Sequence, residues 1–167
     1  MAEKDTIFSS KIKYGGIFNF KDFYQFCYQW LSDETGLTVE EEEYSEKISG
    51  PVKNIDIKWK GTKKVSDYFA YEVKVEFKIL AMSDVEVNQG GLKIKTNKGE
   101  VSVKCKGVLV KDYEGKFETT AKMKLWRGIY EKWIVGGRVK EFEDKLAGDC
   151  DEFLGQAKAF LDIIGQR

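Results

Sequence analysis

Every second residue over 69–81 is apolar: Phe69, Tyr71, Val73, Val75, Phe77, Ile79 and Ala81, with Glu72, Lys74, Glu76 and Lys78 among the residues between. Only a β-strand repeats its side chains every two residues, so this segment predicts a strand with one buried and one wet face. Similar alternation marks most of residues 37–119. Residues 37–48 predict a strand that carries the acidic run Glu40 to Glu43, and Gly50-Pro51 ends it. Ile55, Ile57 and Trp59 then alternate with Asp56, Lys58 and Lys60. The opening strand extends through Val85 and Val87 to Gly90-Gly91. Leu92 and Ile94 lead into Asn97-Lys98-Gly99, which predicts a hairpin turn. Val101, Val103 and Cys105 resume the alternation. Val108 and Val110 fall on the other parity, which predicts a bulge at Gly107. A first strand is predicted over residues 6–18, with Phe8, Ile12 and Tyr14 on one side and a bulge or bend at Gly15-Gly16. A last short strand is predicted over residues 116–119. The sum is six or seven strands on short connections, hence a mainly antiparallel sheet.

The period changes to helical in two places. Asn19 is placed to cap a helix whose Phe20, Phe23, Tyr24, Cys27 and Leu31 share one face. Phe26 and Trp30 widen its apolar surface, and Gly36 is its expected stop. In the tail, Met123, Trp126, Ile129, Tyr130 and Trp133 form one stripe. Val139, Phe142, Leu146, Cys150, Phe153, Ala157, Phe160, Leu161 and Ile164 form another. At about 100° per residue the second stripe is displaced from the first by roughly 200°. That shift predicts a long C-terminal helix in two parts, with a break or sharp kink at Gly136-Gly137; the alternative is a continuous helix gripping two different surfaces.

Composition fits this picture. A chain of 167 residues suits a single domain spanning 1–167. Eleven Phe, eight Tyr and four Trp supply a packed interior. Lys plus Arg and Asp plus Glu are equal at 28 each, which argues against general nucleic-acid binding while leaving room for a local basic patch. Three widely spaced cysteines, Cys27, Cys105 and Cys150, do not form a disulfide framework, so a reducing interior and a cytoplasmic location are expected. No apolar run reaches the length of a membrane span.

With zero histidines, a Ser-His-Asp or Cys-His site is excluded within one chain. No CxxC, HExxH, P-loop or GxGxxG occurs, so no metal or cofactor is expected and no spacing marks a catalytic centre. Catalysis by Glu, Asp, Lys or Tyr has no recognisable pattern here. Glu40 to Glu43 has the composition of a cation site, but a solvated edge strand explains it as well. Lys53, Lys58, Lys60, Lys63 and Lys64 surround Trp59, but alternation puts Trp59 on the face opposite Lys58 and Lys60. The amphipathic helix over 121–135 presents Trp126, Tyr130 and Trp133 with flanking Arg127 and Lys132. That pattern suits a protein partner, a twin subunit or a membrane surface.

The fold class read from these elements is α+β. A curved, mainly antiparallel sheet of six or seven strands is covered by an N-terminal helix and a long two-part C-terminal helix. The order strand, helix, meander, long helix resembles the helix-grip fold of START-type lipid-transfer domains, polyketide cyclases and pollen-allergen-like proteins. The resemblance spans most of the chain and consists of element order. It departs from the pattern in having one helix after the first strand where two are usual, and an extra helix before the last. It implies a small apolar ligand held between sheet and C-terminal helix. Trp59, Tyr71 and Phe77 would face that ligand from the sheet, with Phe142 and Glu143 on the tail helix. Glu143 lies near the apolar stripe, as an acid inside a pocket or as an ion-paired stripe edge.

Overall fold

The computed structural model describes residues 3–66, 68–111, 125, 129 and 136–165. The described elements are β1 (Glu3–Phe18), α1 (Phe20–Gln29), β2 (Thr38–Ser49), β3 (Val52–Lys64), β4 (Phe69–Gln89), β5 (Leu92–Lys111) and α2 (Gly136–Gly165). The fold is α+β. Five strands form one open, wholly antiparallel sheet in the order β1-β5-β4-β3-β2. β2 to β5 make a meander, and β1 pairs with the last of them. Helix α1 therefore carries the chain across the sheet from one edge to the other.

Its start follows from Asn19, whose side chain accepts from the Asp22 amide at 3.0 Å and satisfies one of the free N–H groups of the first turn. Its end widens into a π-helical turn, Trp30–Glu34, where the Thr35 hydroxyl donates to the Leu31 carbonyl. Gly36 then takes φ +73°, the left-handed value a helix stop requires. Phe23 packs edge-on against Phe77 of β4 at 6.0 Å, and Tyr24 against Trp59 of β3 at 5.1 Å. On its other side Phe26 stacks on Phe160 of α2 at 4.6 Å, and Trp30 meets Phe153 at 5.8 Å. The extra aromatic width of α1 thus serves two neighbours.

Helix α2 buries Leu146, Cys150, Phe153, Leu154, Ala157 and Leu161, one stripe at helical spacing. Each full burial of such a large apolar side chain contributes about 1.5–3 kcal/mol. The helix lies close against β5. A Cβ on Gly107 would stand 2.9 Å from Cys150 Sγ and 3.2 Å from Leu146 Cγ. At the other end the Lys158 ammonium donates to the Lys13 carbonyl of β1 at 2.8 Å.

Several expectations are corrected. The strand count is five among the described residues, because the segments around Ile94 and Val101 belong to one strand, while β4 runs on through Val85 and Val87 as expected. The strand expected over 116–119, and all of 130–135 ahead of the Gly136-Gly137 junction, lie outside the described residues. Asn97-Lys98-Gly99 is not a turn. β5 runs straight through it, pairing with β1 and β4. Gly99 is there because β4 bulges at residues 81–82, bringing Leu80 O and Met82 Cα to within 3.0 Å of where a Cβ would sit. That bulge also ends the opening alternation: Ala81, at φ +54°, is exposed and Met82 is buried instead. Nor does β5 bulge at Gly107. The register shift lies opposite, on β1 between Thr6 and Phe8, and the ladder is regular at Gly15-Gly16.

If Gly107 is what lets α2 seat, Gly107→Ala destabilises the fold by about 1–3 kcal/mol through overpacking. Urea denaturation measures this. Adding Cys150→Ala removes the clashing sulfur and recovers part of the loss, whereas equal stability of wild type and Gly107→Ala refutes the close seat.

Candidate functional site on the outer face of the sheet

The residues singled out from the sequence go to three places. Trp59 and Phe77 are buried on the inner face, their rings 4.7 Å apart. The Trp59 indole donates to Glu41 at 3.3 Å. Tyr71 is buried about 20 Å further along β4, at roughly 3.3 Å per residue. Its hydroxyl donates to the Phe142 carbonyl at 2.9 Å. Burial, then the Asp149 carboxylate, pushes the Tyr71 hydroxyl up to about 12. Phe142 is half-buried against Phe69 at 5.3 Å, with the Arg138 guanidinium 5.7 Å from its ring centroid. Glu143 is half-buried beside it. The structure therefore joins Trp59 to Phe77 and Tyr71 to Phe142, at two places in one continuous core. Trp126, Tyr130 and Trp133 lie outside the described residues; of the 121–135 segment only Leu125 and Ile129 are described, both helical and exposed.

The acidic and basic runs are absorbed by the scaffold. A register shift between Glu41 and Glu43 separates the two acids. Glu41 turns to Tyr24, whose hydroxyl donates to it at 2.7 Å, and burial followed by that bond raises the Tyr24 hydroxyl to about 12. Glu43 pairs with Lys58 at 3.5 Å. Of the basic group, Lys53 pairs with Glu46 at 3.9 Å, Lys60 with Glu72 at 3.1 Å, and Lys63 donates to the Thr35 carbonyl at 3.2 Å. Lys64 is engaged as well. The three cysteines are buried. Burial pushes the Cys27 thiol well up, and Cys105 is held far up by its hydrogen bond with Cys150 and by burial. They pack as inert core thiols.

A different cluster emerges from the register. On the outer face, Lys11 of β1 stands opposite Lys104 of β5, which stands opposite Glu76 of β4. One level along, Ser9, Lys106, Lys74 and Lys60 line up across four strands. One level the other way, Lys13, Ser102, Lys78 and Asp56 do the same. Directly opposed side chains sit about 5 Å apart at Cβ, where like charges repel. Lys60 escapes by reaching Glu72. Among the described residues, Lys11, Lys13, Lys74, Lys78, Lys104 and Lys106 make no ion pair. Six ammonium groups without an ion pair thus share a surface with three carboxylates, Glu76, Glu100 and Asp56, a local excess of positive charge. Two adjoining open hollows of about 480 and 390 Å³ lie among them, sharing Lys11, Lys78 and Ser102. Ammonium and hydroxyl donors with local excess positive charge are the donor set of an anion site. The sequence signal was present, as lysines at alternate positions of β1, β4 and β5. Nothing local said that they would be neighbours.

Beside the lysines Glu72 is 4% exposed, opposite buried Val108. Lys60 at 3.1 Å and Lys4 at 3.3 Å both hold it. Burial by itself would raise its pKa, but the hydrogen bonds from these lysines outweigh burial and keep the carboxyl below its ordinary value of 4.5. A depressed carboxyl contributes stability that is complete above pH 4.5 and is lost as pH falls through the folded-state value. Glu72→Gln therefore lowers unfolding free energy by about 1–2 kcal/mol at neutral pH. Its deficit relative to wild type closes in acid, below pH 4.5, in urea titrations at stepped pH. A pH-independent deficit would mean that shape, and not charge, is what Glu72 supplies.

Comparison of the chain with protein-family models, with curated proteins and with solved structures finds no match in any of the three.

Proposed function

We propose that the protein is a binding module whose site is the lysine-lined outer face of the sheet, and that it takes anionic, phosphate-bearing ligands. The observation that carries this is the cluster of six lysines without an ion pair on the three strands β1, β5 and β4. Opposed like charges cost stability in the free protein, and a polyanion spanning the two hollows relieves that repulsion. Three buried free thiols favour a reducing, cytoplasmic setting. Isothermal titration with inorganic tripolyphosphate tests the site. Wild type binds, and binding weakens as salt rises from about 0.1 to 0.5 M, since exposed charges are screened. Lys11→Glu with Lys104→Glu lowers affinity at least about tenfold, from loss and reversal of two charges. Both lysines are exposed, so the fold is retained by circular dichroism. No binding by wild type, or equal binding by the variant, overturns the proposal.

The helix-grip resemblance supplies a second reading, an apolar ligand gripped between sheet and α2. It is favoured by the incomplete burial of Phe142 at the start of α2, against Phe69 and Tyr71, and of Val139 one turn before it. Native mass spectrometry of the purified protein is the check. A retained apolar compound that is lost on Phe142→Ala supports this reading, and a bare chain mass counts against it.

A further inference from the structure

β4 and β5 run beyond the rest of the sheet. The last β3 partner of β4 is Ser83, and the last β1 partner of β5 is Asn97. From Val85↔Thr96 onward, among the described residues, the two strands pair only with each other, as a two-stranded arm closed by Gly90-Gly91 at φ +60° and +85°, as a type I′ turn requires. The arm is two-faced. Asp84↔Asn97, Glu86↔Lys95 and Asn88↔Lys93 form its polar side. Val85, Val87, Ile94 and Leu92 fall on the other side, which continues the outer face of the sheet. Leu92 is 70% and Ile94 39% exposed. Between arm and lysines stands Leu80, 47% exposed, which lines the same hollow as Lys11, Lys13 and Lys78. Ile48 is exposed beside the β2–β3 turn, at the same end of the sheet.

One side of the molecule thus carries a lysine field that grades into an uncovered apolar arm. A soluble polyanion engages the field and leaves the arm in water. A bilayer with anionic headgroups engages both, because lysines are attracted to its surface potential while apolar tips enter the acyl boundary. We infer that this side docks on an anionic membrane surface, with Leu92 and Ile94 as the apolar anchor and the lysines of β1, β4 and β5 as the headgroup contacts. The inference rests on the anion site proposed above and names its partner.

Flotation of the full chain with vesicles tests it, using phosphatidylcholine alone or mixed with phosphatidylserine. Wild type floats with the mixed vesicles and not with phosphatidylcholine alone. Leu92→Asp with Ile94→Asp cuts flotation at least about tenfold and leaves tripolyphosphate affinity unchanged, since the arm anchors only in lipid. Lys11→Glu with Lys104→Glu reduces both readouts. Wild type that binds tripolyphosphate but does not float overturns the membrane inference and leaves the anion site standing. Loss of both in wild type overturns the site itself. An arm variant that floats like wild type also refutes the inference. So does wild-type self-association, seen by light scattering and abolished in the arm variant, when no flotation occurs; the arm is then covered by a second copy.

Discussion

An open sheet with one apolar face must have that face covered, and everything else in this protein follows from how closely the cover sits. The inner residues of β3, β4 and β5 form a continuous apolar surface from Ile55 to Leu109. Two helices share it: α1 lies over β3 and β4, and α2 lies over β5 and β1. Their contact with each other is aromatic, through Phe26 and Phe160. The approach of α2 is set at Gly107, where the missing side chain lets Leu146 and Cys150 reach the backbone of the sheet.

Covering one face fixes the other. With most apolar positions committed inward, the alternating lysines of β1, β4 and β5 are forced outward together, and the antiparallel register decides who meets whom. At the β2–β3 edge that register sets Glu43 opposite Lys58 and leaves Lys53 within reach of Glu46. In the centre it sets Lys11 against Lys104 and Lys74 against Lys106, with Glu76 and Asp56 opposite Lys104 and Lys78, while Glu72 draws off Lys60 and Lys4. The sheet therefore has a paired edge and a centre with excess positive charge, although the chain as a whole is neutral. The bulge at residues 81–82 then shifts β4 by one parity step, so that the arm beyond it turns Val85 and Val87 to the lysine side.

Much of the fold was legible in the sequence because it is written in local periodicity. The strand beginning at Phe69, the Asn19 cap, the stop at Gly36 and the stripe from Val139 to Leu161 are all set by residues within a few positions of one another. The misreadings share one cause. Gly99 and Gly107 look like turn or bulge signals, yet each is a glycine because a distant segment passes close by, the β4 bulge in one case and α2 in the other. Sequence distance hides such encounters.

The site divides along the same line. Local alternation was enough to put Trp59 inside and its flanking lysines outside, since a period of two admits no other arrangement. It was not enough to say which lysines stay without an ion pair, because that depends on pairing across strands as far apart as Lys11 and Lys104. What the sequence determined by itself is the inside and the outside of each element. Which outside charges become neighbours, and where the apolar arm escapes its cover, were decided by register and bulges, which exist only once the strands have paired.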